Sequence, residues 1–441
     1  MHLRELLAND VARSTQFAAV APGVRYDYSR QRLGAITLRL LSQLAGERGF
    51  TEWREALLAG KPVNSSENRA AWHTALRAGS DAPAQVKQML SRVKVLAEKL
   101  RSERRFKRII NLGTGGSDLG PRLLADALGD GTLDVRFVAN ADPLDLARAL
   151  QGAEPDSTLF LVVSKSFATQ ETLANAQAAR TWLRGKNHFY AITENEAAAK
   201  TFGVLEVLPM WDWVGGRFSV WSAAGLAAAC AMGFDQFEAF LAGGRDVDVH
   251  FSTTEIQNNI PALMALIGVW NTNFLGAATH AVLPYARALR LLPAYLQQLE
   301  MESNGKRLDR NGRPVDYATA PVLWGTEGTP SQHSFHQFLH QGTQVVPVDF
   351  VDIGSDEVLS ANARAQADAL AFGSDDGSYP GNRPSSILHI EKLDARNLGR
   401  LISLYEHKVF TQGVIWNINS FDQPGVELGK RLAARILKGE R

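Results

Sequence analysis

The sequence predicts an α/β fold with two domains, each a parallel sheet flanked by helices, and with further helical segments at both ends of the chain. Short apolar runs lead through Gly- and Ser-rich turns into amphipathic helices, which is the pattern of β-α-β units. This series stops at a helical stretch and then starts again, and 441 residues are more than one core normally holds. Two sheets therefore fit the chain better than one.

The first half of the chain carries the first series. Residues 1 to about 100 are predicted to be mostly helical, and residues 1–75 to pack as a segment on the larger domain. The first domain is predicted over residues 76–233. Its predicted strands are residues 108–112, 135–139, 158–163 and 189–193. Its predicted helices are residues 121–128, 169–183 and 218–232.

The second domain is predicted over residues 234–441, and its series of strands and helices starts after a helical stretch near residues 260–274. Its predicted strands are residues 322–324, 344–348 and 386–390. Its predicted helices are residues 286–301, 333–340, 359–372, 395–416 and 424–438, the last with a proline in its first turn. In such folds a ligand is expected outside the carboxyl ends of the strands.

Charge and composition exclude several classes of protein. Lys plus Arg is 47 and Asp plus Glu is 46, which argues against nucleic acid or an anionic membrane as the main partner. No apolar run approaches the length of a membrane span, and the N-terminus lacks the apolar region of a secretion signal. The single cysteine, Cys230, lies in a small apolar run and cannot form an internal disulfide. A buried thiol and a reducing, cytoplasmic location are therefore expected.

Residues 295–306, Tyr-Leu-Gln-Gln-Leu-Glu-Met-Glu-Ser-Asn-Gly-Lys, are predicted to begin as a helix and to end at the Ser-Asn-Gly turn. This places Glu302 in the last turn, where the helix dipole disfavours a carboxylate. A carboxylate held against its local electrostatics is a candidate for proton transfer. The alternative is a solvated glutamate at a frayed helix end.

Two predicted loops have the composition of anion-binding sites. Residues 113–121 follow a strand and precede a helix, but Asp118 stands where a dinucleotide loop has its third glycine, so a smaller anion is favoured. Residues 164–172 hold four hydroxyls and one ammonium in the matching position after another strand. Each loop alone could be an ordinary capping cluster. Together they predict a pocket for a phosphate monoester.

Three other segments carry candidate functional groups. Arg217 follows two glycines, which lets a ligand approach a fixed positive charge, although a surface salt bridge is the alternative. His333, His336 and His340 invite a metal interpretation, but no carboxylate lies within that segment to complete a site. At most one or two of these histidines are expected to be catalytic. Lys430, on the last predicted helix, could equally be a surface lysine.

Together these segments resemble the glucose-6-phosphate isomerase family, the aldose–ketose isomerases of glycolysis and gluconeogenesis. The matching stretches are residues 115–121, 164–172, 215–219, 297–306, 328–342 and 405–430, in the order of the family. The resemblance implies two sugar-isomerase-type (SIS) domains and a homodimer with its active site at the subunit boundary. It also implies a hexose 6-phosphate substrate and no metal or organic cofactor.

The resemblance also assigns roles residue by residue. Glu302 matches the base that moves a proton between C1 and C2, and Arg217 matches the group that steadies the enediolate. His333, which follows Gln332, matches the ring-opening histidine that reaches the neighbouring subunit's site, and Lys430 matches the ring-opening lysine. Phosphate and sugar contacts are matched by Gly116, Ser117, Ser164, Lys165, Ser166, Thr169, Gln298 and Gln423. Ala168 departs from the usual threonine and removes one possible phosphate donor.

Three alternatives remain from the sequence. A non-catalytic SIS-type sugar-phosphate sensor would keep the hydroxyl-rich loops but would not need Glu302, Arg217, His333 and Lys430 together. An isomerase that also accepts mannose 6-phosphate is compatible with every motif, because that sugar differs in one hydroxyl orientation. A metal-dependent hydrolase would need carboxylate partners that the histidine segment lacks.

Overall fold

The computed structural model describes residues 2–354, 356–437 and 439 and has the predicted α/β architecture. In chain order, the strands of this described part are β1 (Ala18–Ala21), β2 (Val24–Asp27), β3 (Arg108–Leu112), β4 (Asp134–Val138), β5 (Thr158–Val163), β6 (Phe189–Thr193), β7 (Glu206–Pro209), β8 (Thr279–Pro284), β9 (Val322–Trp324), β10 (Val348–Ile353) and β11 (Ser385–Ile390).

The α-helices in the same residues are α1 (Leu3–Asn9), α2 (Arg13–Gln16), α3 (Ala35–Glu47), α4 (Phe50–Leu58), α5 (Ala84–Glu103), α6 (Leu119–Leu128), α7 (Pro143–Leu150), α8 (Gln170–Trp182), α9 (Glu196–Phe202), α10 (Leu226–Met232), α11 (Phe234–Thr253), α12 (Ile260–Val269), α13 (Leu292–Gln297), α14 (Gly328–Gln332), α15 (His336–Gln341), α16 (Glu357–Phe372), α17 (Ala395–Ile415) and α18 (Glu427–Leu437). Two π-helical turns, Trp270–Phe274 and Gln298–Glu302, continue α12 and α13.

The first sheet has five parallel strands in the order β4-β3-β5-β6-β7. All six residues of β5 are buried, with Leu161 and Val162 in different apolar clusters, because helices cover both faces of the sheet. The predicted strands 108–112, 158–163 and 189–193 coincide with β3, β5 and β6, and 135–139 differs from β4 by one residue. The chain passes from β3 to β4 on one side and then to β5 on the other, so the strand order reverses between β3 and β5.

The second sheet has six strands in the order β1-β2-β11-β10-β8-β9. The last four are parallel, and β2 pairs antiparallel with β11. The hairpin of β1 and β2 comes from the N-terminal segment, so the prediction that this segment is mostly helical was wrong at residues 18–27. Its two-residue turn, Pro22-Gly23, has Gly23 at φ +71°, the conformation that a type II turn requires.

Strand β10 was predicted at residues 344–348, and this prediction was wrong, since the strand runs from Val348 to Ile353. Its sequence contains two aspartates that interrupt the apolar pattern, yet both are buried. Asp349 is satisfied by His280 at 3.2 Å and by the Tyr405 hydroxyl at 3.2 Å. The apolar signal therefore fails where buried charges have partners from distant parts of the chain.

Several predicted helices are shorter or divided. The helix predicted at 286–301 begins only at α13, whose first turn holds Pro293, and it ends in a π-helical turn. The helix predicted at 333–340 starts only at His336, because residues 333–335 lie between the two short helices α14 and α15. The helix predicted at 218–232 starts only at Leu226, after two short 3-10 turns.

One long helix, α17, is buried along almost its whole length and packs against α11 and α12. It carries Lys408 and Tyr405 toward the second sheet and the end of α13. None of the described helices combines the length and the hydropathy that a membrane-spanning helix needs.

Candidate active site

Both predicted anion-binding loops lie at the carboxyl edge of the first sheet, beside the reversal in strand order. Strand β3 continues into residues 113–118, and its neighbour β5 continues into residues 164–169. A Cβ atom on Gly113 would lie 3.2 Å from the carbonyl oxygen of Val163, so the two loops meet where they leave the sheet. Open α/β sheets bind their ligands at this position.

The loop after β3 is a tight turn that leads into α6. Gly115 has φ +57°, a conformation that glycine adopts without steric cost. The Asn111 amide donates to the carbonyl oxygen of Ser117 at 3.0 Å and fixes the turn to the strand. Gly116 and Ser117 therefore lie at the N-terminus of α6, where backbone N–H groups favour an anion.

The loop after β5 places three of the predicted hydroxyls before α8. Ser164 and Thr169 are joined by a hydroxyl–hydroxyl hydrogen bond of 2.9 Å, and Ser166 is exposed. Thr169 occupies the N-cap position of α8 but makes no side-chain capping bond. Its hydroxyl therefore bonds within the loop, and a purely capping role does not account for this cluster.

The Lys165 ammonium contacts the backbone of the segment that leads to Arg217. It donates to the carbonyl oxygens of Asp212 at 2.9 Å and of Val214 at 3.3 Å. Burial lowers the pKa of Lys165 from its ordinary value. In this structure Lys165 thus connects the loop after β5 to the segment after β7.

Arg217 is buried and joins the two halves of the chain. Its guanidinium donates to the Ser303 hydroxyl at 2.6 Å, the Ser420 carbonyl at 2.6 Å, the Asp422 carbonyl at 3.2 Å and the Gln423 side-chain oxygen at 3.1 Å. Burial lowers the pKa of Arg217, and the neighbouring carboxylates oppose that shift. The surface salt bridge that the sequence left open is excluded by this burial.

The Arg217 segment also touches the first anion-binding loop through its backbone. A Cβ atom on Gly116 would lie 1.9 Å from the carbonyl oxygen of Gly216 and 2.6 Å from the amide nitrogen of Arg217. Only glycine allows this approach, so the close contact fixes the distance between the loop and the arginine.

Glu302 lies at the end of the π-helical turn that follows α13. Its carboxylate oxygen is 3.6 Å from the Arg217 guanidinium, and about a quarter of the side chain is exposed (23%). The Lys306 ammonium donates to the carbonyl oxygens of Glu302 and Ser303, at 2.9 Å each. The negative helix end expected from the sequence is therefore capped by a cation. Single π-helical turns occur frequently at functional sites.

Gln298 begins the same π-helical turn and lies beside the first loop. A Cβ atom on Gly115 would be 2.9 Å from the side-chain nitrogen of Gln298. Because Gln298 and Glu302 are four residues apart, this turn spans from the anion-binding loop to the arginine.

Direct contacts thus bring together Gly116, Arg217, Gln298, Glu302 and Gln423, while Ser117, Ser164, Lys165, Ser166 and Thr169 occupy the adjoining loops. The sequence assigned no role to Ser303, Lys306, Ser420 and Asp422, although they complete the network. All four lie in the matched stretches 297–306 and 405–430, within four residues of a predicted site residue, and this was the signal that could have found them.

The three clustered histidines are in different environments. His336 is buried, and its two ring nitrogens are each 3.0 Å from a partner, Ser331 and Gln366. Burial lowers its pKa. His340 is 2.9 Å from the same Gln366 side chain. His333 is exposed and its ring has no hydrogen bond to another described residue, so it is the histidine with a ring available to another molecule.

Lys430 lies apart from this network. Its ammonium is 3.0 Å from Glu427 on the exposed helix α18, and no hydrogen bond or ion pair joins it to Arg217 or Glu302 in the described part of the chain. Within the same residues, no group of three or more His, Cys, Asp or Glu side chains is placed to hold a metal ion.

Comparison with known protein families shows which family this chain belongs to. The model of the family Phosphoglucose isomerase matches residues 27–441. This chain belongs to the phosphoglucose isomerase family. It is 45% identical to the glucose-6-phosphate isomerase of Dechloromonas aromatica, over 99% of this chain and 91% of that relative. It is also 45% identical to the enzyme of the same name from Frankia casuarinae, over 99% and 89% of the two chains.

Solved structures agree with this family membership. A glucose-6-phosphate isomerase from Chlamydia trachomatis superposes with a TM-score of 0.93 at 35% identity, covering 99% of this chain and 93% of that chain. A tagatose-6-phosphate ketose/aldose isomerase from Escherichia coli superposes with a TM-score of 0.52 at 13% identity, covering 85% of this chain and 95% of that chain. The second likeness shows the shared fold alone.

Proposed function

We propose that this protein interconverts D-glucose 6-phosphate and D-fructose 6-phosphate, the activity named for its relatives from Dechloromonas aromatica and Frankia casuarinae. The observation that supports this most strongly is the contact of Arg217 with Glu302 beside the two anion-binding loops. A base, a fixed cation and a phosphate site at one sheet edge are the groups that an aldose–ketose isomerisation needs.

The substrate phosphate is proposed to bind the loops after β3 and β5. Backbone N–H groups at the N-termini of α6 and α8 face this edge, and Ser117, Ser164, Ser166 and Thr169 add hydroxyl donors. Binding energy gained at the phosphate orients the reacting carbons at the far end of the sugar. Lys165 contributes to phosphate binding indirectly, because its ammonium already donates to the carbonyl oxygens of Asp212 and Val214 and so holds the segment that leads to Arg217.

The proton transfer is proposed to run through Glu302. Its carboxylate takes the proton from C2 of the open aldose and returns it to C1, which leaves negative charge on the enediolate oxygens between the two steps. Arg217 opposes that charge without donating its proton, since guanidinium stays charged. Its hydrogen bonds to Ser303, Ser420 and Asp422 hold it in place, so little reorganisation is needed during the reaction.

Ring opening is proposed to use His333 and Lys430, as the family resemblance implies. Neither reaches Glu302 within the chain described here, so both need a further contact. For His333 that contact is a second copy of the chain, which makes the functional unit a homodimer with shared sites. For Lys430 the segment after Gln423 has to close over the sugar. A cytoplasmic role in glycolysis and gluconeogenesis follows from the proposed reaction and agrees with the buried, unpaired Cys230.

The direct test is conversion of fructose 6-phosphate to glucose 6-phosphate by the purified protein, with and without EDTA. We expect turnover that EDTA does not change, because each proposed proton transfer is made by a side chain. Turnover abolished by EDTA and restored by a divalent metal would contradict the mechanism. The same assay with mannose 6-phosphate decides whether the second epimer is accepted.

The close approach at Gly116 gives a further prediction. Gly116→Ala forces the first loop away from Gly216 and Arg217, because the new Cβ would lie 1.9 Å from a backbone oxygen. We expect kcat/KM to fall by about 10²-fold, the cost of misplacing reacting groups by about 1 Å. Steady-state kinetics measure this. Gly46→Ala, whose Cβ meets nothing within 4 Å, is the matched control, and equal activity of both variants would refute the argument.

A further inference from the structure

Lys306 has no assigned role in the proposed reaction, yet its ammonium lies at the junction of the site. It donates to the carbonyl oxygens of Glu302 at 2.9 Å, Ser303 at 2.9 Å and Asp422 at 2.8 Å. It also forms an ion pair of 3.1 Å with the Asp422 carboxylate, and only 13% of the side chain is exposed. An ammonium has three N–H donors, and here three carbonyl oxygens take them. None is left for a substrate.

These contacts join two segments of the proposed site. One is the helix end with Glu302, and the other is the turn of Asp422 and Gln423. Arg217 spans the same two segments and shares the Asp422 carbonyl oxygen as an acceptor. The difference is that Arg217 also faces the Glu302 carboxylate at 3.6 Å, whereas the Lys306 ammonium contacts the Glu302 backbone.

The charges around Lys306 balance before a substrate enters. Two cations, Arg217 and Lys306, face two carboxylates, Glu302 and Asp422. Burial lowers the pKa of Lys306 to about 8, with Arg217 adding to the decrease and the two carboxylates opposing it. The Asp422 carboxylate is also bonded by the Ser66 hydroxyl, which holds it in place from the N-terminal segment. Because its pKa is lowered to about 8, the Lys306 ammonium loses its charge within a pH range in which activity can be measured.

We propose that Lys306 is a positioning residue for the isomerisation, whose ammonium fixes the peptide of Glu302 against the turn of Asp422 and Gln423. This inference rests on the proposed function. When Lys306 is deprotonated, its attraction to the carbonyl oxygens and to Asp422 weakens, and Glu302 loses its fixed distance to Arg217. The reaction step then slows while the phosphate loops still bind the substrate. Accordingly kcat should fall as pH rises through the titration of Lys306, with little change in KM.

The test compares pH profiles of kcat for three proteins altered at one position. Lys306→Met removes the ammonium and should lower kcat by about 10²-fold, with KM within a few-fold of the wild type. Lys306→Cys can be alkylated with bromoethylamine, since the native Cys230 is buried, and this restores an ammonium at the same distance. The alkylated protein should regain most of kcat. Because the sulfur withdraws electrons from the amine, its alkaline fall in kcat should begin at lower pH.

A third variant and a control complete the design. Lys306→Arg carries a charge that does not titrate in this range, so the fall in kcat at alkaline pH should disappear, whatever the absolute value of its kcat. This result tests the inference even if Lys306→Met fails to fold. Lys87→Met, a substitution on the exposed face of α5, should leave the profile unchanged. An unchanged alkaline fall in Lys306→Arg, or in the alkylated protein, would overturn the inference. An inactive wild type would instead overturn the proposed function.

Discussion

Glu302→Gln is expected to lower kcat by about 10²- to 10⁴-fold, the range that a positioned general base contributes. The amide keeps the shape of the side chain but cannot accept the proton from C2. Substrate binding should change little, because the phosphate loops lie at another part of the site and Arg217 keeps four other hydrogen bonds. A fall in kcat with KM nearly constant identifies a group that acts in the chemical step.

Glu255→Gln provides the control, since Glu255 is exposed in the segment that follows α11. Thermal unfolding of both variants should match that of the wild type. Turnover of Glu302→Gln close to the wild-type value would refute its role as the base and would assign the proton transfer to another group. Absence of turnover in the wild type itself would favour the sugar-phosphate sensor.

Mixing Glu302→Gln with His333→Ala extends this experiment to the proposed dimer. If each site combines Glu302 of one chain with His333 of the other, a mixed dimer contains one intact site. Random exchange in a two-fold dimer makes half of the dimers mixed, so about one quarter of wild-type activity should return. No recovery after demonstrated subunit exchange would contradict shared sites, and the exposed ring of His333 would then need another explanation.

The elements around the phosphate loops could be predicted because their sequences combine strong local signals. β3, β5 and β6 are apolar runs that end at Gly, Ser or Asn turns, and their boundaries agree with the structure. The hairpin at residues 18–27 and strand β10 could not be predicted in this way. The hairpin is short and gains its stability from pairing with β11, while β10 holds two buried aspartates whose partners lie elsewhere in the chain.

The candidate site likewise contains residues that the sequence could predict and contacts that it could not. Arg217, Glu302 and Gln423 are recognisable because each lies in a motif of unusual composition. Their distances are fixed by features without a local signal, such as the π-helical turn 298–302 and the approach of Gly116 to Gly216. Lys306 was visible in its motif, but its role depends on Asp422, more than a hundred residues later (116). Composition thus locates reacting groups, and long-range contacts position them.

A buried ion pair holds the π-helical turn Gln298–Glu302 against α17. Breaking this ion pair is expected to have the largest effect on stability. The Lys408 ammonium on α17 is 2.8 Å from the Glu300 carboxylate, and each side chain is about 1% exposed. Glu300→Gln leaves the lysine charge buried without its partner, which should lower the free energy of unfolding by about 3–5 kcal/mol. Chemical denaturation followed by circular dichroism measures the loss. Lys408→Met should cost a similar amount for the opposite reason.

The double variant Glu300→Met with Lys408→Met separates stability from positioning. Replacing a buried pair by hydrophobic groups of similar volume is often neutral or stabilising, so the double variant should recover most of the stability lost by either single change. Its kcat should stay below the wild-type value, because Glu302 lies two residues from Glu300 on the turn that the ion pair anchors. Full recovery of both stability and kcat would show that packing alone holds this turn. A buried ion pair by itself contributes little net stability. A loss of kcat that persists in a stable double variant would therefore show that the contribution of this pair is a fixed position of the π-helical turn relative to α17.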